Sequence, residues 1–112
     1  AGYDRILGSA EGDTIGFNRV YGGADSVEEI DGGAGQNLLE GSRWADNLDF
    51  SETILVNIAE IQGMEGGDMI AGSNGDDTIA GGPGNDTIYG RQGDDTFAFF
   101  GQDGDFDMVN GD

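Results

Sequence analysis

The 112-residue chain contains no cysteine, no histidine and no lysine, and a single proline. Its four cations, Arg5, Arg19, Arg43 and Arg91, stand against 23 acidic residues, for a formal net charge of −19. Each absence excludes a chemistry. Without cysteine or histidine there is no thiol nucleophile, no Ser-His-Asp triad, no thioredoxin-like pair and no zinc site of the usual type. Without lysine there is neither a Walker A loop nor a Schiff base. So acidic a chain excludes nucleic acid, whose phosphates are held by Lys and Arg. An anionic membrane surface repels it for the same reason. Apolar runs are only a few residues long, so no membrane insertion by this segment is expected. No N-terminal signal peptide is visible.

What the chain holds in quantity is glycine and aspartate, 23 and 16 residues. Hydrophobic residues make up 36%, a share that lies near the boundary of disorder when net charge is this large. A fold therefore needs something to neutralise the carboxylates. A hard divalent cation that prefers oxygen ligands, above all calcium, suits that need.

Internal repeats organise the sequence. Residues 63–71 read GMEGGDMIA, 72–80 GSNGDDTIA, 81–89 GGPGNDTIY and 90–98 GRQGDDTFA. All four share Gly at positions 1 and 4, Asp at position 6 (Asp68, Asp77, Asp86, Asp95) and an apolar residue at position 8 (Ile70, Ile79, Ile88, Phe97). Composition alone produces one such nonamer with a probability of about 0.002, so four in unbroken register are not chance. Weaker copies lie upstream. GGAGQNLLE (32–40) has Asn37 in place of aspartate, GSRWADNLD (41–49) has Trp44 in place of glycine, and GSAEGDTIG (8–16) keeps Gly8, Asp13 and Ile15. Segments 25–37 and 57–68 also share a pattern, Glu-Ile-x-Gly-x-x-Gly. This suggests two related modules, roughly 1–40 and 41–98.

The nonamer has a physical logic. Its first six residues make a tight turn for which glycine supplies the backbone freedom. Its last three alternate polar, apolar, polar, a very short strand with one side chain inward. Two nonamers make an 18-residue coil, which stacks Ile70 on Ile88, Ile79 on Phe97, Asp68 on Asp86 and Asp77 on Asp95. The stacked carboxylates repel one another, and calcium between rungs reverses the sign. The core is thin, so metal binding is expected to carry much of the folding free energy.

These nonamers resemble the RTX, or haemolysin-type, calcium-binding repeats, with consensus G-G-x-G-x-D-x-apolar-x. Residues 81–89 match at every position. The resemblance implies an all-β fold, a calcium-stabilised parallel β-roll (a right-handed two-stranded β-solenoid), here with an irregular N-terminal module. It also implies ligands. One ion would lie among Met64, Gly66 and Asp68 of one coil and Gly81, Pro83 and Asp86 of the next. A second would lie among Ser73, Gly75 and Asp77 with Gly90, Gln92 and Asp95. A third would use Gly82, Gly84 and Asp86, although its partner rung, 99–107, departs from the pattern. Only the aspartates act through side chains; the other positions contribute carbonyls.

Four regions are expected: a degenerate RTX-like module (1–40), a deviant repeat with a strand insert (41–62), the regular β-roll (63–98) and a capping or disordered acidic tail (99–112). SETILVNIAEI reads as a strand with Ile54, Val56 and Ile58 on one face. Asp103, Asp105 and Asp107 resemble the start of an EF-hand loop, but Met108 stands where that loop needs glycine. Asp76, Asn85 and Asp94 read as solvated turn residues, Tyr89, Phe99 and Phe100 as edge or cap packing, and the arginines as partners of nearby carboxylates.

The resulting expectation is a non-enzymatic, calcium-dependent folding module of a secreted bacterial protein, such as a toxin, adhesin or exoenzyme. Type I secretion, an extracellular location and attachment to the rest of a larger secreted chain follow from the resemblance. Two alternatives stay open: an adhesive or ligand-binding module, and a non-catalytic segment of an RTX exoenzyme. Paired carboxylates can hydrolyse glycosides, but here they sit at repeat positions, which argues for ligands.

Overall fold

The computed structural model describes residues 4–17, 20–21, 28–98 and 108–110. Short strands form wherever an apolar residue sits between polar or small neighbours, because alternation turns that one side chain inward. They build three sheets. The first is β1 (Arg5–Leu7), β4 (Glu29–Asp31) and β7 (Ile54–Val56). The second is β2 (Thr14–Gly16), β5 (Leu38–Glu40), β8 (Glu60–Gln62), β10 (Thr78–Ala80) and β12 (Thr96–Ala98). The third is β3 (Val20–Tyr21), β6 (Asn47–Asp49), β9 (Met69–Ala71), β11 (Thr87–Tyr89) and β13 (Met108–Asn110). Every strand pairing among the described residues is parallel, and no helix occurs among them. The chain is an all-β solenoid of about 4 turns.

The coil changes shape along its length. From β1 to β9 the chain visits the three sheets in rotation, and amides meet the next coil 24 residues on, as Asp13 meets Asn37. Beyond β9 it alternates between the second and third sheets, and the step falls to 18 residues, as from Asp68 to Asp86. The two-stranded coil expected for 63–98 is there, with Ile70 opposite Ile88 and Ile79 opposite Phe97. The N-terminal module differs from that plan in having a third wall. The second sheet runs unbroken from β2 to β12, through both sequence modules. The Glu-Ile segments that looked duplicated, 29–31 and 60–62, fall in different sheets; β8 pairs with β5 instead.

Segment 50–62 is two strands rather than one. Asn57 adopts a left-handed backbone (φ 57°) and turns the chain between β7 and β8. Pairing of Ile30 with Leu55 then sets the parity. Leu55 packs on the core and Ile54 is exposed, the opposite of the one-face reading. The pairing partner decided this, because a one-residue change of register reverses every side chain.

One inward side chain per strand makes the core: Ile30, Leu39, Leu48, Ile61, Ile70, Ile79 and Ile88 are fully or almost fully buried. The three-sided part holds more. Phe50 is completely buried, and Phe17 meets its edge with ring centroids 5.4 Å apart. Each such side chain contributes about 1.5–3 kcal/mol of burial. Arg5 pairs with Glu29 and Asp31, both at 3.1 Å. Arg43 and Arg91 instead lie over the rings of Trp44 and Tyr89, at 5.0 and 5.5 Å. At the C-terminal end Met108–Asn110 pairs with β11. Arg19, Phe99, Phe100, Asp103, Asp105, Asp107 and rung 99–107 lie outside the described residues.

Candidate metal centre

Two kinds of turn join the strands. In the first, positions 2 and 4 of the nonamer are left-handed: Gly33 and Gly35, Met64 and Gly66, Gly82 and Gly84, Arg91 and Gly93. Position 4 is glycine in each, as that backbone requires. In the second, position 2 is serine. Ser73 donates from its Oγ to Asp77 Oδ1 (2.9 Å) and from its N–H to Oδ2 (2.8 Å), and accepts from the Gly75 N–H (3.2 Å). Ser42 holds Asp46 in the same way, and Ser9 holds Asp13. The serine turn lacks the left-handed residue at position 4. Trp44 is thus no obstruction: its N–H bonds Ser42 Oγ at 3.1 Å, and no glycine is needed. The recurrent signal was in the sequence as Gly-Ser followed by Asp four residues after the serine, at Ser9, Ser42 and Ser73.

The position-6 side chains link consecutive coils. Asp86 Oδ1 accepts from the Asp68 N–H (2.8 Å), Asp68 Oδ1 from Asp46 (2.9 Å), Asp95 Oδ1 from Asp77 (3.0 Å) and Asn37 Oδ1 from Asp13 (2.8 Å). A rung therefore reaches back to the amide of the coil before it. The Ser9 and Ser42 turns stand first in their columns of described turns, and the Ser73 turn follows the Asn57 bend that leads into β8; in all three the serine hydroxyl supplies a partner for its own aspartate.

The second carboxylate oxygen is where the left-handed turns differ. Asp68 Oδ2 and Asp95 Oδ2 are buried and meet no hydrogen-bond donor. Burial pushes the Asp68 carboxyl up to about 8; Asp86 and Asp46 add repulsion, and the Asp46 N–H bond opposes the rise. Asp77 is also raised, chiefly by burial, with its Ser73 bonds opposing and Asp95 and Asp76 adding to the shift. A buried acceptor without a donor costs about 1–3 kcal/mol, and more when charged. A main-chain oxygen stands beside Asp68 Oδ2, and others face the turn of the next coil. A Cβ on Gly63 would lie 2.6 Å from both Asp68 Oδ2 and the Gly81 carbonyl oxygen. One on Gly82 would lie 2.5 Å from the Met64 oxygen, and one on Gly84 would collide with that of Gly66.

Residues expected for the first ion, Met64, Gly66 and Asp68 with Gly81, Pro83 and Asp86, thus fall on consecutive coils of one turn column. Gly82 and Gly84 belong to the same column. Those expected for the second, Ser73, Gly75 and Asp77 with Gly90, Gln92 and Asp95, also stack. There Asp77 is folded onto Ser73, while Asp95 keeps its unpartnered oxygen. Among the described residues no three acidic side chains converge. A site here is made mainly of carbonyls with one or two carboxylates, a donor set suited to a hard, oxygen-seeking cation. Asp76, Asn85 and Asp94 are exposed; the Asp94 N–H bonds Asp76 Oδ1 at 2.7 Å outside the ladder.

Stacked glycine-turned nonamers with an inward position-6 side chain on each rung define a repeat β-solenoid. The family model of the RTX calcium-binding nonapeptide repeat matches residues 62–97 in four copies, and RTX nonapeptide repeats bind Ca2+. Such a repeat is a structural, non-catalytic module, of a kind typical of secreted proteins. No curated protein and no solved structure matches the chain.

Proposed function

We propose that residues 63–98 are a calcium-switched folding module of an exported protein. The reading is carried by the buried Asp68 and Asp95 Oδ2 atoms, which lack a donor, that of Asp68 beside the Gly81 carbonyl oxygen. Met64, Gly66, Asp68, Gly81, Pro83 and Asp86 would hold one ion. Ser73, Gly75, Asp77, Gly90, Gln92 and Asp95 would hold another. Calcium supplies the positive charge that the oxygens of these turns require.

The protein's own groups do the rest. The Oδ1 to N–H bonds fix each carboxylate relative to the previous coil, and the left-handed residues aim carbonyls at it. Without the ion these coils have one inward side chain per strand and buried, donorless acceptors, so they stay unfolded. In millimolar extracellular calcium they close; extracellular modules commonly bind at about 10⁻⁴–10⁻³ M. Remaining unfolded in a low-calcium cytosol fits export as an extended chain, by a type I route, as part of a larger secreted protein.

The test is a calcium titration followed by far-ultraviolet circular dichroism, with magnesium as control. A cooperative gain of β signal, reversed by chelator and absent with magnesium, is expected. A fully folded spectrum in chelator, unchanged by calcium, would overturn the proposal.

A further inference from the structure

The turn at Asn37 contains an internal comparison. Its backbone is the left-handed kind, with Gly33 and Gly35 in the places of Met64 and Gly66. Its side chain sits as the aspartates do, buried, with Oδ1 accepting from the coil before (2.8 Å from the Asp13 N–H). The other terminal atom is nitrogen. Asn37 Nδ2 donates to the carbonyl oxygens of Gly33 (3.2 Å), Ala34 (3.4 Å) and Gly35 (3.4 Å), and to that of Asn57 on the next coil (2.9 Å). Where an aspartate turn presents carbonyls to an acceptor that lacks a donor, this turn presents them to an amide. A partial positive charge on NH₂ does locally what a cation does elsewhere.

Two other features of the same coils agree. Asp13 and Asp46 are held by the hydroxyls and amides of Ser9 and Ser42. The three-sided coils also bury Phe50 together with Ile30, Leu39 and Leu48, a thicker core than the one inward residue per strand of the later coils.

We infer that the Asn37 amide takes the place a calcium ion takes in the aspartate turns. The three-sided coils, residues 28–62, therefore fold without calcium and template the calcium-dependent coils that stack on β8. This rests on the calcium reading of 63–98. It adds where the metal requirement begins and which residue sets that boundary. The exposed edges of β6 and β8, with the Asp46 N–H just before β6 placed to bond Asp68 Oδ1, then give the incoming chain a preformed register.

Hydrogen exchange read by mass spectrometry on the full chain tests this, in chelator and in 5–10 mM calcium (about ten times the weaker affinities of extracellular sites). Peptides from 28–49 are expected to be protected in both conditions, and peptides from 63–98 only with calcium. Asn37→Asp should remove protection of 28–49 in chelator, restore it with calcium, and add one bound ion by calorimetric titration. If 28–49 in the unaltered chain needs calcium as 63–98 does, the inference is wrong while the calcium reading stands. An Asn37→Asp chain that matches the original in chelator and binds no further ion also overturns it. If 63–98 is indifferent to calcium, the calcium reading itself falls. The unaltered chain decides the matter even if the variant fails to fold.

Discussion

Asp68→Asn is the converse substitution, and its effect can be worked from the contacts. Asp68 Oδ1 accepts from the Asp46 N–H at 2.9 Å, and an asparagine oxygen keeps that bond. Asp68 Oδ2 has no donor, and the chain around it is the Met64–Gly66 turn with the Gly81 carbonyl. An amide nitrogen there donates where the oxygen only repelled, as Asn37 Nδ2 does to its own turn. Removing one buried unsatisfied acceptor recovers about 1–3 kcal/mol, and the loss of charge beside Asp86 adds to it. Above about pH 8, where the Asp68 carboxyl is ionised, the calcium-free variant is therefore expected to be more stable by about that amount, and its stability should respond less to calcium. Urea unfolding followed by circular dichroism, in chelator and in calcium, measures both. Asp68→Ala, which loses the Asp46 bond and donates nothing, should not reproduce the gain. Equal destabilisation by Asn and Ala in chelator would refute the claim that the donor deficit at Oδ2 keeps the coil open.

Other expectations concern the rest of the scaffold. Asp68 has a folded-state pKa raised to about 8 by burial, against an ordinary value of 3.8. The calcium-free coil therefore has its full stability contribution below about pH 4 and loses it as pH rises through 8; chelator-treated protein should gain β signal on mild acidification, while proton competition weakens calcium binding. Phe50→Ala should cost about 3–5 kcal/mol in thermal unfolding, with or without calcium, because Phe50 is fully buried in the three-sided coils. Gly66→Ala should destabilise the calcium-bound coil by more than about 1 kcal/mol. Its φ is +100°, and the new Cβ would stand 2.6 Å from the Trp44 carbonyl carbon. Trp44→Gly at the equivalent position should cost no more than about 1 kcal/mol in the same melt, the worth of the lost Arg43 contact, since the Ser42 turn needs no glycine.

Much of the regular repeat region, 63–98, was readable from spacing alone. A strict nonamer with one apolar residue per strand admits few arrangements, and stacking two per coil places Ile70 on Ile88 and Asp68 on Asp86. The upstream copies were harder to read. Gly-Ser-x-x-x-Asp looks like a damaged repeat when glycine at position 4 is taken as obligatory. It is a different turn, in which the serine hydroxyl replaces the left-handed backbone. Asn37 reads in the sequence only as a departure from aspartate, because its role depends on where four carbonyl oxygens point.

Composition and period alone decided that the chain needs a counter-charge, that its strands are three residues long and that its turns carry the chemistry. These follow from local rules: glycine for left-handed backbone, alternation for the inward side chain, aspartate for oxygen ligation. The number of walls did not. Whether a coil has two strands or three depends on which rung a segment pairs with. That choice broke 54–62 into β7 and β8, put Leu55 rather than Ile54 inside, and gave the N-terminal coils room for Phe50. Pairing partners lie 18 to 27 residues away in sequence, at the distances from Ile61 to Ile79 and from Val20 to Asn47, beyond the reach of any local pattern. Only the stacked coils bring the position-6 side chains and their partners close enough to show which rungs are satisfied within the chain and which keep an unpartnered oxygen.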